Sequence, residues 1–403
     1  MSTATMPIKI STLASSIQPS ATLAAGAKAR QLKAEGISVF DFSLGEPDFP
    51  TPEHICKAAF KAMQEGQTHY TPANGIPELR AAIAKLYLKV YGLRYTADQV
   101  VVSNGAKHSI STALLAVCGP GDEVIIPAPY WVSYSDLVQM TGATPVLVQT
   151  TAESAFKMNP AEFRAALTPR SKLLMINSPS NPTGSVYTRE ELEALADVAL
   201  EAGIVVLSDE IYERLVFGNA RATCFATLRP GLADKTITIS GVSKSYAMTG
   251  WRMGWTLGPA NVIKAMGNVQ SQQTGCPCSI TQYAALAAIE GDQECVERMR
   301  REFEARRDIV CKRLNAMPGI VCPVPGGAFY AFFNVSAHFG KTLGGKAVTD
   351  SASFCQVALE SAHVNLVPGS AFGMEGYVRL SFATNREQLN GGMEKLEKLL
   401  RGK

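Results

Sequence analysis

Between residues 100 and 257 short apolar runs alternate with longer amphipathic stretches. The runs are 100–102, 123–126, 144–148, 172–176, 204–207, 236–239 and 253–257. Most are apolar at successive positions instead of every second one, so both faces of each strand are expected to be buried. That is the pattern of a largely parallel sheet covered by helices on both sides. Helical periodicity is read over 53–65, 77–91 and 106–118, the second opening on Pro77 at its first position.

The rhythm differs at the two ends. A flexible start leads into an Ala-rich helix over 22–35 and a strand over 38–44, closed by the breaker run Gly45-Glu46-Pro47-Asp48-Phe49-Pro50. Beyond about residue 290 a long charged helix over 292–316 precedes strands at 329–334 and 377–382 and helices at 352–362 and 386–400. A chain of 403 residues exceeds one typical core. The expected division is an α/β domain over 46–290 and a smaller α+β domain over 291–403, completed by residues 1–45. No internal repeat or low-complexity tract interrupts it.

Composition narrows the class without naming it. With 46% apolar and 18% charged residues and no apolar run long enough for a membrane span, a globular protein off the membrane is expected. A formal charge of +3 with no dense Lys/Arg block gives no footprint for nucleic acid. Nine scattered cysteines lack metal or disulfide-framework spacing; Cys276-Pro277-Cys278 is the single close pair and is read as packing. The five histidines also lack ligand spacing, so no metal is expected. Nucleotide loops, nucleophile elbows and zinc-protease motifs are absent.

The chemistry concentrates between Ser240 and Gly254. An apolar run over 235–239 feeds small residues and then Lys244, which places an amine at a strand end with little bulk around it. Arg252, eight residues on, is a permanent cation with five donors suited to phosphate. A lysine able to form a Schiff base beside a phosphate-clamping arginine points to pyridoxal phosphate. A second phosphate element is Ser103-Asn104-Gly105-Ala106-Lys107, a glycine turn feeding a helix N-terminus. Asp209 and Glu210 both stand at the end of the 204–207 run, and either carboxylate could keep a pyridine nitrogen protonated; adjacent side chains diverge, so only one can. Asn181, in Asn181-Pro182-Thr183-Gly184, and Tyr212 offer donors for the ring's phenolic oxygen. Trp131 is either core or a flat wall against that ring.

The run through Gly241, Lys244, Gly250, Arg252 and Gly254 resembles the lysine motif of class I aminotransferases, and the resemblance extends from Pro19 to the last helix. The chain is most similar to the bacterial-type aspartate aminotransferases. The resemblance implies fold type I of the pyridoxal-phosphate enzymes and a homodimer with shared active sites. It also implies Asp209 rather than Glu210 at the ring nitrogen, Lys244 as the lysine that carries the cofactor and then acts as base, and an aromatic wall at Trp131. Gly105, Ala106, Lys107, Ser243 and Arg252 are implied near the phosphate, with Tyr70 reaching the phosphate of the other subunit. Gly45, Trp131, Asn181 and Arg379 are implied at the substrate, Arg379 gripping the α-carboxylate and Lys107 a distal carboxylate.

Two departures from relatives matter. Gln18 stands before Pro19-Ser20-Ala21-Thr22, where prephenate-using relatives carry lysine, and Gly241 stands where some relatives place a phosphate-binding serine, leaving Ser240 or Ser243 to compensate. Transfer of an amino group between aspartate or glutamate and a 2-oxo acid is the expected reaction. Aromatic amino acids, alanine or prephenate are alternative substrates, and a β-lyase or decarboxylase is the alternative reaction. A ligand sensor fused to a DNA-binding module is not favoured, because the residues before Gly45 show no helix-turn-helix pattern. The start is rich in Ser and Thr with no acidic residue before Glu35, as in a transit peptide, but it is poor in arginine, so cytoplasm is the expected location.

Overall fold

The computed structural model describes residues 8–17, 19 and 21–402; Gln18 and Ser20 lie outside them. The central sheet has seven strands: β1 (Val100–Ser103), β2 (Glu123–Ala128), β3 (Thr144–Gln149), β4 (Ser171–Asn177), β5 (Val205–Asp209), β6 (Thr236–Gly241) and β7 (Gly254–Leu257). Their order is β1-β7-β6-β5-β4-β2-β3, and only β7 runs antiparallel to its neighbours. The expected mostly parallel sheet is therefore present, each strand within two residues of its apolar run. Strands β1 and β6 are buried along their whole length, as two helical covers require.

Register brings the chemistry into line. Asn177 pairs with Asp209 and Asp209 with Ile239, so the carboxyl ends of β4, β5 and β6 finish on one edge. Open α/β sheets bind ligands at this edge. Gly241 lies opposite Gly254. A Cβ on Gly241 would sit 2.9 Å from the Gly254 Cα, and one on Gly254 only 2.5 Å from the Ala106 nitrogen. The bare Gly254 lets the helix Ala106–Val117 rest its first turn on the sheet, and the bare Gly241 leaves room for β7 beside it. A serine at 241 has no room, which accounts for that departure.

A second sheet, β9-β10-β8, is built from β8 (Tyr330–Asn334), β9 (Val367–Pro368) and β10 (Tyr377–Ser381). Helices Glu294–Asn315, Ser351–Ala362 and Arg386–Leu400 pack with it into one apolar cluster that also holds Phe42, Phe303 and Phe329. The expected strand over 38–44 shrinks to Phe40–Asp41, paired in parallel with Val364–Asn365. Asp41 Oδ1 turns back to accept from the Ser43 N–H (3.1 Å) and hydroxyl (2.7 Å), which ends the ladder. All nine cysteines are free thiols, and no described helix is long and apolar enough to cross a membrane.

The loop after residue 44 is anchored by aromatic packing. Phe303 is fully buried and meets Phe49 edge-on at 5.4 Å and Phe329 at 5.3 Å. Phe303→Ala is expected to cost about 3–5 kcal/mol, read as a lower urea midpoint with little change in slope.

Candidate active site

At the carboxyl edge of the sheet lies a cavity of 480 Å³. Its wall includes Gly45, Ala106, Lys107, Trp131, Asn181, Asp209, Tyr212, Ser243, Lys244, Arg252 and Arg379. Of the expected site residues, only Gly105 and Tyr70 are not part of that wall. Gly105 lies just behind it, at φ +88°, where a Cβ would meet Arg252 Nη2 at 2.6 Å. Tyr70 is 97% exposed and does not reach the chain's own cavity.

Lys244 follows β6 by three residues and donates from Nζ to the Gly45 carbonyl at 2.6 Å. Burial, with Arg252 and Arg379 nearby, lowers its pKa to about 8 against the pull of Glu46 and Asp209. About one amine in ten is then neutral at pH 7, against well under one in a thousand for an ordinary lysine. Asp209 ends β5 and is buried. Its pKa is pushed up to about 6 by desolvation, while the Tyr134 hydroxyl (2.6 Å to Oδ2), the Ile211 N–H (3.2 Å to Oδ1) and Lys244 hold it down. Glu210 turns the opposite way, into a bond from Ser208 Oγ at 2.9 Å and one from the Phe225 N–H at 3.0 Å. The divergence of the two carboxylates thus leaves Asp209 alone on the cavity.

Arg379, on β10, is buried at 1% exposure. Its Nη1 donates to Asn181 Oδ1 at 3.0 Å and its Nη2 to the Ser43 carbonyl at 2.6 Å, while Nε has no partner. The Tyr330 and Phe372 rings flank it at 4.6 and 4.9 Å. Among the described residues no carboxylate forms an ion pair with this buried cation. Tyr212 and Tyr330 share a hydroxyl–hydroxyl bond of 2.8 Å at the cavity wall. Trp131 stands edge-on to Tyr134 at 5.4 Å, and Lys107 Nζ lies 4.9 Å above its ring centre. Burial and Arg252 lower the Lys107 pKa.

The two elements expected near a phosphate converge. Helix Ala106–Val117 starts with no side-chain cap, so its first N–H groups are free at the cavity, and Arg252 sits against Gly105. Arg252 takes φ +54°, a conformation costly for a side-chain-bearing residue, and is held by a bond from Nη1 to the Thr249 carbonyl at 2.8 Å. Between the two serine candidates the geometry separates cleanly: Ser243 lines the cavity, whereas Ser240 Oγ turns toward Glu213 at 3.4 Å.

Residues 37–396 match the family model for aminotransferase class I and II. The chain belongs to that family. It is 47% identical over 388 residues to an aspartate/prephenate aminotransferase of Cereibacter sphaeroides, covering 96% of this chain and 97% of the relative. It is 47% identical over 393 residues to an aspartate aminotransferase of Geobacillus stearothermophilus, covering 98% and 99%. The crystal structure of the aspartate aminotransferase from Rhizobium meliloti superposes with a TM-score of 0.95 at 42% identity over 98% of this chain and 99% of that one. The fold is that of these enzymes, fold type I.

Several wall residues carried no signal that sequence reading used. Tyr134 sits one turn after Trp131 in the same aromatic run, so its bond to Asp209 was within reach. Tyr330, Ser43 and Arg30 come to the cavity only through packing of distant elements. The neutral fraction of Lys244 gives a check on the site's electrostatics. In the apoprotein its reaction with an amine reagent, followed by peptide mass spectrometry, should inflect near pH 8. Asp209→Asn removes an anion that favours the ammonium form, so it should move the inflection lower.

Proposed function

We propose that the chain is a pyridoxal-phosphate-dependent aminotransferase that moves an amino group between aspartate or glutamate and a 2-oxo acid. The observation that carries this reading is one cavity holding an amine of lowered pKa, a buried carboxylate and a buried arginine with an unpaired N–H. Three further features fit the cofactor: a cationic ring-nitrogen partner is what Asp209 lacks, an anion is what the bare helix end and Arg252 lack, and Trp131 offers a flat face. Pyridoxal phosphate supplies, when bound, an aldehyde that captures amines and an electron-poor ring that draws electrons from the substrate α-carbon.

The residues divide that work. Lys244 Nζ would hold the cofactor at its aldehyde carbon and, once released, accept the proton leaving the substrate α-carbon and return it elsewhere. Asp209, kept anionic near neutral pH by Tyr134 and the Ile211 N–H, would hold a proton on the ring nitrogen. Tyr212 and Asn181 would donate to the phenolic oxygen, Trp131 would stack, and Gly105, Ala106, Lys107, Ser243 and Arg252 would surround the phosphate. Arg379 would take the α-carboxylate beside Gly45, and Lys107 a distal one. Tyr70, exposed and away from its own cavity, fits a role in the site of a second copy, and hence a homodimer. Residues 291–403 with 1–45 would then close as one domain onto 46–290. Nine free thiols fit the cytoplasm.

Two readouts test this. Mixed with aspartate and no acceptor, the pyridoxal-loaded protein should lose its cofactor absorbance band and release one equivalent of oxaloacetate per site. Release of alanine and carbon dioxide would instead identify a β-decarboxylase, and release of pyruvate, ammonia and sulfide from cysteine a β-lyase. Lys244→Ala should lose at least the ~10²–10⁴-fold in kcat that a general base supplies, and Arg379→Ala should raise KM for every amino donor tested.

A further inference from the structure

The cavity wall carries more positive charge than the roles above consume. Lys244, Arg252, Arg379 and Lys107 already have roles there, which leaves Arg30. Arg30 belongs to the first long helix, Ala21–Ala34, and to none of the motifs. It is exposed and makes no hydrogen bond or ion pair among the described residues, whereas Arg306 and Arg229 are each tied to carboxylates.

Its placement follows from a bare position one turn earlier. A Cβ on Gly26 would lie 3.4 Å from Arg30 Nη1, 3.7 Å from Ser43 Oγ and 3.3 Å from Leu44 Cδ2. Arg30 Nη1 and Ser43 Oγ thus both lie against the bare Gly26 position, and the Ser43 carbonyl is the acceptor of Arg379. Arg30 and Arg379 line the same cavity, with Ser43 between the helix and β10.

We propose that Arg30 is a specificity-determining residue whose guanidinium, together with Lys107, receives the distal carboxylate of a dicarboxylic substrate held by Arg379. The proposal rests on reading this site as an aminotransferase for dicarboxylic amino acids. Lys107 alone is a weakened cation, since burial and Arg252 both favour its neutral form. Arg30 presents a planar fork of donors that matches a carboxylate. Ordering its long side chain costs rotamer entropy, a cost offset only when a second carboxylate arrives. Diacids are thereby separated from monoacids of equal length.

Binding without turnover reads this directly. Calorimetric titration of the pyridoxal-loaded protein with succinate and with butyrate, at one ionic strength, compares a four-carbon diacid with a four-carbon monoacid. Arg30→Ala is expected to weaken succinate about tenfold, or about 1.4 kcal/mol, and to leave butyrate within about twofold; Arg30→Lys should restore part of the loss. Equal weakening of both ligands would make Arg30 structural, and no change in either would make it a solvated helix residue; each result overturns the proposal. Should the unmodified protein bind both alike, the dicarboxylate reading falls together with Arg30. A preference for succinate that survives in Arg30→Ala sinks the Arg30 assignment alone.

Discussion

Arg379 is the constraint around which the site is assembled. A guanidinium at 1% exposure has given up its hydration, a loss of several kcal/mol unless its donors are satisfied. Its two partners come from the N-terminal segment at Ser43 and from the loop after β4 at Asn181, so three distant stretches must meet before the charge is tolerable. Asn181 is in turn fixed by its own N–H on Asn177 Oδ1 at 2.8 Å, and Asn177 Nδ2 holds the Asp209 carbonyl at 2.9 Å. One network thus runs from the small sheet to the strand end that carries the cavity's buried carboxylate. It remains incomplete by one N–H and one unit of charge. An anionic ligand supplies both.

The glycines at 241 and 254 act on a different link of the chain. They stabilise nothing directly; they allow an approach that any side chain would block. Because β6 and β7 can lie against the first turn of helix Ala106–Val117, the free N–H groups of that turn and the Arg252 guanidinium reach the same end of the cavity that Lys244 enters from β6. Backbone packing sets the distance between amine and phosphate elements, and side chains only finish it.

Local signals along the chain were enough for most of the fold. Continuous apolar runs located every strand of the central sheet, and Pro77 and Gly105 marked the starts of their helices. The N-terminal strand failed because Asp41 and Ser43 compete for the backbone through their side chains, a tertiary detail completed by Asn365 Nδ2 on Asp41 Oδ1 at 2.9 Å. Gly105, Asp209 and Lys244 were legible because each sits at or beside a strand end. Tyr330, Ser43 and Arg30 were not, since nothing in their neighbours announces which distant element they will meet. Residue chemistry left Asp209 and Glu210 open and only the resemblance chose Asp209; bonds from Ser208 Oγ and the Phe225 N–H turn Glu210 away from the cavity.

The ionisations of Asp209 and Lys244 show how the cavity holds its reactivity. Desolvation raises the carboxyl to about 6 and lowers the amine to about 8. For Asp209, whose folded pKa is raised, the stabilising contribution is complete below the unfolded value and lost as pH rises through about 6. For Lys244, whose folded pKa is lowered, it is present above the unfolded value and lost as pH falls through about 8. Between about pH 6 and pH 8 both groups therefore sit in the charged forms that burial penalises, relieved by each other, by Tyr134, the Ile211 N–H, Glu46 and the Gly45 carbonyl. That is the range in which a ligand bearing a ring cation for Asp209 and a carbonyl carbon for Lys244 recovers the most free energy. Stability is withheld from the empty cavity where the bound one can use it.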